Sequence, residues 1–335
     1  MNQKVVLILV IIIAVMGAIA MFVAKDEPAT NGPVALFPGI NIAELDQVEM
    51  KSRGNTVTLA LKDSQWGVQE KAGYPADTSD LSELVSQLGK AKLLEKKTSR
   101  PENFARLGVD DIEQADSEAI LVTLTVGDEQ YAVLVGDTSS ARRGSYIRKP
   151  GDDQVWLIDK SLVIDKESSD WVEPVIIDVE AEDVSDVKFL TSGNELTFLR
   201  GEDGEFSFLE LPADRTLKYP TIINEPARAL VKVRLEDVEL HNPERWQEPD
   251  TALFTLKNGT VVTVQGVTEE GAEEDEKNHW IHFSVSPGEG DTTEYGDLNT
   301  WDYRVTSYIY DDFVKTMEDV LAEETSDDEV ETSTD

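Results

Sequence analysis

The three histidines are the residues whose types and spacing come nearest to a metal site. His279 and His282 lie three residues apart around a tryptophan, and His241 lies well upstream. Imidazole nitrogens are common zinc ligands. However, the segment 279–285 has the character of a β-strand, and neighbouring strand positions point to alternate faces. We therefore expect His279 and His282 to face opposite sides of a sheet and not to share an ion.

Carboxylate pairs are numerous because 67 of the 335 residues are acidic. The groups at 110–111, 152–153 and 269–276 suggest acid–base pairs or calcium ligands, but none follows the ligand order of an EF-hand. Neither a Gly-rich phosphate loop nor a nucleophile elbow accompanies them. The sequence therefore predicts no catalytic, cofactor-binding or metal-binding residues. A periplasmic hydrolase or calcium-dependent enzyme that uses acidic residues is the alternative.

The larger aromatic residues suggest a second alternative, a module that binds envelope polysaccharide by stacking on sugars. Several of them recur at matching places in two halves of the chain, which favours equivalent core positions. The residues are Trp66, Tyr74, Trp156, Trp171, Trp246, Trp280 and Trp301. Aromatic side chains that prove to be exposed and coplanar would support the sugar-binding interpretation.

The overall charge narrows the class of partner. With 30 basic and 67 acidic residues the formal net charge is −37, which opposes binding to nucleic acid or to an anionic lipid surface. Such a surface is typical of solubility in a salty medium, and a cation-binding surface is the alternative. One basic segment, on and after the first predicted helix, is either a solvated helix end or a contact for an acidic partner or lipid headgroups. It comprises Lys90, Lys92, Lys96, Lys97 and Arg100. The chain has no cysteine, so thiol chemistry and disulfides are excluded.

An apolar run at the N-terminus predicts a membrane anchor over residues 1–24. Twenty uncharged residues from Val5 to Ala24 include thirteen Val, Ile, Leu or Phe. They match the ~30 Å thickness of the hydrocarbon core and favour insertion by about 5 kcal/mol. Cleavage after Ala20 as a signal peptide is the alternative, although the run is longer than the apolar core of most signal peptides. Lys4 before the run predicts a single-pass protein of the cytoplasmic (inner) membrane, with its N-terminus inside and its body periplasmic.

The remaining chain divides into a linker, two domains and a tail. Residues 25–39 are rich in Pro, Gly, Ala and Asn and predict a linker. Short strand-like runs with fewer helical ones then predict an α+β body of two tandem, duplicated β-rich domains, 40–173 and 174–321. Residues 322–335 hold seven acidic residues and predict a disordered acidic tail.

The duplication is inferred from landmarks that recur in the same order. The hairpin around Gly54-Asn55 resembles the hairpin around Gly193-Asn194. Further matched pairs are Trp66 with Phe206, Tyr74-Pro75 with Tyr219-Pro220, the strands around Leu121–Leu124 and Leu253–Leu256, and Trp156 with Trp301. Each Tyr-Pro precedes a predicted helix, Leu81 to Leu94 in the first half and around Ala227 to Val231 in the second.

Several of these segments together resemble the domain of unknown function 4340 family. They are Trp66-Gly67-Val68, Gly73-Tyr74-Pro75-Ala76-Asp77, Lys97-Thr98, Leu107-Gly108-Val109, Gly144-Ser145-Tyr146-Ile147-Arg148 and Gln154-Val155-Trp156-Leu157. The resemblance is strongest over about residues 48 to 175, and Trp301-Asp302-Tyr303-Arg304 is its clearest echo in the second half. It implies a bacterial membrane-anchored protein, often encoded beside an ABC-type transporter with an auxiliary subunit of the gliding-motility type. It implies no reaction and no catalytic residues.

These observations favour a binding protein over an enzyme. An anchored, β-rich, duplicated body without a catalytic constellation is expected to act as an accessory or scaffold protein with protein partners in a transporter-like complex. The membrane itself is contacted through the N-terminal helix.

Overall fold

The computed structural model describes residues 34–323, apart from 142, 192, 272–275 and 290–294. The predicted anchor lies outside the described residues. Within them, none of the helices has both the length and the apolar content needed to cross a bilayer. The described body is β-rich with a few helices, the α+β class that the sequence predicts.

The first half forms a ten-stranded antiparallel sheet in the order β1-β6-β10-β9-β8-β7-β2-β3-β4-β5. Its strands are β1 Val34–Ala35, β2 Leu45–Lys51, β3 Thr56–Lys62, β4 Gln65–Val68, β5 Tyr74–Pro75, β6 Lys92–Lys96, β7 Ile120–Val126, β8 Glu129–Thr138, β9 Ser145–Arg148 and β10 Val155–Ile158. Apolar alternation produces these strands: Ile120, Val122 and Leu124 of β7 are all buried at period two.

One long helix, α1 (Thr78–Lys90), packs on this sheet through Leu81, Leu84, Val85 and Leu88. The carboxylate of Asp77 begins it by accepting hydrogen bonds from the amides of Ser79 and Asp80 at 2.8 and 3.2 Å. The helix predicted to extend to Leu94 ends at Lys90 instead. The chain then turns into β6, because pairing with β10 satisfies the backbone there.

The second half forms an eight-stranded antiparallel sheet in the order β14-β13-β12-β17-β18-β19-β20-β16. A two-stranded sheet, β11 Val175–Ile177 with β15 Val233–Arg234, lies beside it. The strands of the large sheet are β12 Val184–Thr191, β13 Asn194–Arg200, β14 Phe206–Phe208, β16 Asp237–Leu240, β17 Asp250–Leu256, β18 Val261–Glu270, β19 Lys277–Ser286 and β20 Trp301–Val305. Two short helices follow, α2 Ser307–Asp311 and α3 Met317–Val320.

The two large sheets share one strand order, which supports the interpretation of the chain as two copies. Eight neighbouring strands of the first sheet run in the order β4, β3, β2, β7, β8, β9, β10, β6. The second sheet has the corresponding order β14, β13, β12, β17, β18, β19, β20, β16. A carboxylate braces each meander in the same way: the Thr58 amide donates to Glu70 at 2.8 Å and the Thr197 amide to Glu210 at 2.7 Å. The boundaries of the two repeats stay a prediction.

The matched landmarks hold in part. Trp66 lies two residues before Val68, which pairs with Leu59. Phe206 likewise lies two residues before Phe208, which pairs with Phe198. Trp156 and Trp301 lie in matching strands, but the ladders put Tyr303 at the place of Trp156. Tyr74 and Tyr219 differ in surroundings, the first buried in β5 and the second 43% exposed.

The helix predicted around Ala227 to Val231 is absent from the second half, where described residues form two short 3-10 helices instead. These are Pro220–Asn224 and Pro226–Arg228. Pro226, which lacks a backbone N–H, interrupts any helix that runs on from Pro220, and Lys232 with φ 50° leaves the helical region just before β15. The prediction of an α-helix around Ala227 to Val231 was therefore wrong.

Both ends of the body extend past the predicted boundaries. Residues 34–35 of the predicted linker pair with β6, and Leu36 and Phe37 are buried, because two large apolar side chains follow the Pro-rich stretch. At the other end the Ala322 amide donates to Thr216 at 2.8 Å. Residues 25–33 and 324–335 of the predicted linker and tail lie outside the described residues.

The two halves pack against each other at Tyr74. Its ring meets Trp301 edge to face at 5.1 Å between centroids, and Tyr303 at 6.3 Å. Nearby, Lys71 forms an ion pair of 2.5 Å with Asp237 across the same contact. Tyr74 therefore joins the first sheet to strand β20 of the second.

We expect Tyr74→Ala to destabilise the protein by about 3 to 5 kcal/mol, because it opens a cavity between the halves. The control Tyr219→Ala changes an exposed ring and should cost less than about 1 kcal/mol. Urea unfolding of the purified proteins measures both. Equal losses in the two variants would contradict the assignment of Tyr74 to this contact.

Candidate functional site

The candidate site lies on the outer face of the second sheet and is centred on Asp302. Trp301, Tyr303 and Val305 of β20 point toward the first half and the core, so Asp302 between them points the other way. Despite this outward direction Asp302 is fully buried. The segment 241–247, which follows β16, covers it.

Five nitrogen atoms lie within 3.2 Å of the two oxygens of this carboxylate. Oδ1 lies 2.7 Å from Nδ1 of His241 and 3.2 Å from Nδ1 of His282. Oδ2 accepts hydrogen bonds from the Asn242 amide at 3.0 Å, Arg245 Nη1 at 3.1 Å and Trp246 Nε1 at 3.2 Å. The two imidazole rings lie 4.0 Å apart between centroids. His282 is buried by the strands, whereas the His241 side chain is 29% exposed.

Arg245 connects the covering segment to four strands. Besides Asp302 it donates to Glu239 of β16 and Glu269 of β18, both at 3.1 Å. Its guanidinium lies 3.9 Å from the ring centroid of Trp280 on β19. A planar cation with several fixed donors suits this multiple contact.

The electrostatics favour the ionised carboxylate. Burial alone would raise the pKa of Asp302, but hydrogen bonds from His282, a backbone amide, His241 and an indole outweigh it and lower the pKa to about 2. Burial lowers the pKa of Arg245, but its hydrogen bonds to Glu239 and Glu269 outweigh this and raise the pKa above its ordinary value. The site therefore holds a permanent buried charge pair at neutral pH.

The first half has a different polar arrangement at the equivalent place. When the two sheets are aligned by their strand pairing, Val155 of β10 takes the position of Asp302 of β20. Arg148 of β9 takes the position of His282 of β19. Arg148 is 3% exposed and donates to the Val109 carbonyl at 2.9 Å, to the Asp152 carbonyl and to the Asp111 carboxylate. The buried carboxylate with two imidazoles is therefore a property of the second half.

A family model described as a domain of unknown function (DUF4340) matches residues 66–259, which is more than half of the chain. The chain belongs to the DUF4340 family. The match runs from β4 to the turn after β17 and so crosses the predicted junction at Glu173-Pro174. Neither the curated proteins nor the solved structures include a match to the chain.

Within this DUF4340 protein the site is divided by the family match. His241 and Arg245 lie inside the matched residues, whereas His282 and Asp302 lie beyond them. The family description names no activity.

The structure separates His279 from His282, as the strand prediction requires. Both lie on β19, where His279 contacts Thr268 at 3.0 Å and the ring of Tyr310 at 4.7 Å. His282 faces the other side and meets His241 instead. The sequence does not predict this cluster of His241, His282 and Asp302, because His241 and Asp302 are 61 residues apart along the chain. The only local signal was the segment His241-Asn242-Pro243-Glu244-Arg245-Trp246, which concentrates polar and aromatic residues.

The predicted carboxylate groups do not come together at this site, except for Glu269. Asp111 pairs with Arg148, and Asp152 is exposed and accepts from the Gln154 amide at 2.9 Å. Burial raises the pKa of the neighbouring Asp110, against the lowering influence of Arg148. Residues 272–275 lie outside the described residues.

The large aromatic residues are mostly core residues, as predicted. Tyr74, Trp171 and Trp280 are buried, and Trp66, Trp156 and Trp301 are half-buried against the core. Trp246 is an exception because it belongs to the polar site, and Trp280 is buried beside that site, under the Arg245 guanidinium. A coplanar, exposed row of these rings is not found in the described part of the chain.

We expect Asp302→Asn to remove about 2 kcal/mol of stability at pH 7, because the folded-state pKa of Asp302 is depressed. The contribution is complete above about pH 4 and is lost as the pH falls toward about 2. The difference in unfolding free energy between wild type and variant should therefore shrink in acid. Asp152→Asn, at an exposed carboxylate, is the control. A difference that stays constant between pH 7 and pH 3 would contradict this electrostatic role.

Proposed function

We propose that this protein is an extracytoplasmic accessory or scaffold protein, anchored in the cytoplasmic membrane by residues 1–24. Its two tandem repeats would contact protein partners in an ABC-transporter-like envelope complex of the gliding-motility type. The apolar run Val5 to Ala24 supports the anchor because it matches the bilayer in length. The resemblance to the DUF4340 family supports the transporter association.

One observation carries the choice of a binding role over an enzyme. Oδ2 of Asp302 is occupied by internal donors, and Oδ1 faces the two imidazoles, as described above. Among the residues that the structure describes, neither His241 nor His282 is hydrogen-bonded to a serine or threonine hydroxyl. The group that most resembles catalytic machinery therefore lacks a nucleophile in contact with its base.

An apolar groove beside α1 supports a protein partner. It lies between the helix and strands β3 and β4, and Leu61 on its wall is 40% exposed. The other apolar lining side chains include Ile42, Trp66, Leu81 and Val85. Lys90 lies at its rim, and the basic segment continues from it along β6. Because the rest of the protein is strongly acidic, the groove suits a partner segment whose apolar side chains are flanked by acidic ones.

Affinity purification from membranes tests this function. Wild-type protein should co-purify a constant set of integral membrane proteins and remain in the membrane after carbonate washing. Leu61→Glu should lose at least about tenfold of that recovery, since a charge replaces an apolar contact. Leu199→Glu, at a leucine that is 45% exposed on β13, is the matched control and should behave as wild type.

The predicted anchor provides a second test of this function. Ile12→Arg costs about 3 kcal/mol at the centre of a membrane helix and should release protein from membranes. Exporting the body without residues 1–24 should abolish the cellular phenotype, because tethering sets the effective concentration at the partner. An active soluble body that is silenced by His241→Gln while still folded would instead support the hydrolase alternative.

A further inference from the structure

We propose that His241, His282 and Asp302 form a binding site for one divalent first-row transition metal ion, of which Zn²⁺ is the representative. Each residue offers one ligand atom, and the three atoms all lie within 4.8 Å of one another. They come from three separate segments, the start of the covering segment 241–247 and strands β19 and β20. An ion here would tie the covering segment to the sheet.

Two of the three distances between ligand atoms are close to those of a ligand set. Zinc binds imidazole nitrogen and carboxylate oxygen at about 2.0–2.1 Å, so two ligand atoms on a tetrahedral ion lie about 3.3 Å apart. Nδ1 of His282 and Oδ1 of Asp302 are separated by 3.2 Å. Nδ1 of His241 lies 2.7 Å from the same oxygen. These two atoms must therefore move apart by about 0.6 Å to reach the zinc spacing.

The carboxylate is oriented as a metal ligand usually is. Its Oδ2 atom is held by Asn242, Arg245 and Trp246, so Oδ1 alone is directed at the two imidazoles. Ligating carboxylates are commonly fixed in this way by hydrogen bonds to their other oxygen, and such partners set the affinity for the metal. The covering segment supplies all three of these donors.

The local charge also favours a cation. The guanidinium of Arg245 stands beside the site, but it contacts three carboxylates, those of Asp302, Glu239 and Glu269. With neutral imidazoles this group carries a net formal charge of −2, which a divalent ion would neutralise. Two nitrogen donors select zinc and its first-row neighbours over calcium and magnesium, which prefer oxygen alone.

A purely hydrogen-bonded network is the competing explanation. Nδ1 of His282 lies 2.9 Å from the Trp301 carbonyl, to which it donates when it carries a proton. Metal binding exchanges this hydrogen bond for a coordinate bond and places the imidazole proton on Nε2. The two states differ in whether the protein takes up metal, so they can be told apart directly.

Titration of the full-length protein, with its affinity tag removed, tests the proposal. The probe is Zn²⁺ in calorimetry and Co²⁺ in visible absorption, each with millimolar Mg²⁺ present to occupy the acidic surface. We expect one ion per chain, a cobalt spectrum with nitrogen ligation, and a melting temperature that rises with Zn²⁺. His241→Gln should weaken binding at least about 100-fold, because losing a side chain that merely orients a ligand already costs roughly 10 to 100-fold.

Two further variants keep the result interpretable. His279→Gln removes the remaining histidine, on the opposite face of β19, and should bind as wild type does. His282→Gln tests the buried ligand, and circular dichroism establishes whether this variant is folded. If it is not folded, the result for His241→Gln, at a partly exposed ligand, decides between binding and no binding. Absence of stoichiometric binding by wild type, or equal binding by His241→Gln, would overturn the proposal.

Discussion

The second half of the molecule depends on keeping one carboxylate, that of Asp302, away from water. Removing an ionised carboxylate from water costs several kcal/mol unless donors and countercharges replace the solvent. Here a backbone amide, an indole, a guanidinium and two imidazoles do so. Each of these donors has to be delivered from a fixed position. The need to satisfy Asp302 therefore fixes where the segment 241–247 runs and how it covers the sheet.

The same strand links this polar face to the packing of the two halves. Side chains of β20 alternate, so Asp302 faces the covering segment while Trp301 and Tyr303 face Tyr74 of the first half. A shift of β20 by one residue would bury the wrong side chains on both faces at once. In the first half the corresponding strand has Val155 in place of the carboxylate, so its outer face is held by the separate contacts of Arg148. The two sheets, which share one strand order, thus carry two different solutions to covering an outer face.

Much of the frame could be predicted from the sequence because its causes are local. Gly54 and Gly193 adopt positive φ, 89° and 81°, in turns that the hairpin pattern identified. The helix α1 was visible from its apolar spacing, although its end was misplaced because strand pairing of β6 decided it. The second helix failed for a local reason too, since Pro226 and the positive φ of Lys232 leave room for only a short turn between them.

The site could not be predicted because its cause is long-range. His241 and Asp302 meet only when β16, β19 and β20 are neighbours, and no spacing along the chain reports that order. Aspartate in an apolar strand, as in Trp301-Asp302-Tyr303, was present as a signal of a buried and paired carboxylate. Its partners remained unidentifiable until the sheet order placed them, and the family match, which ends at residue 259, stops short of it.

Native-state hydrogen exchange of wild type and Asp302→Asn, read by mass spectrometry, is the most direct measurement of this dependence. If Asp302 organises the second half, the variant will lose protection in segment 241–247, at the Asn242 amide above all, and along β20. Strands β8 and β9 of the first half will keep theirs. Unchanged protection of segment 241–247 in the variant would contradict the central role of this carboxylate.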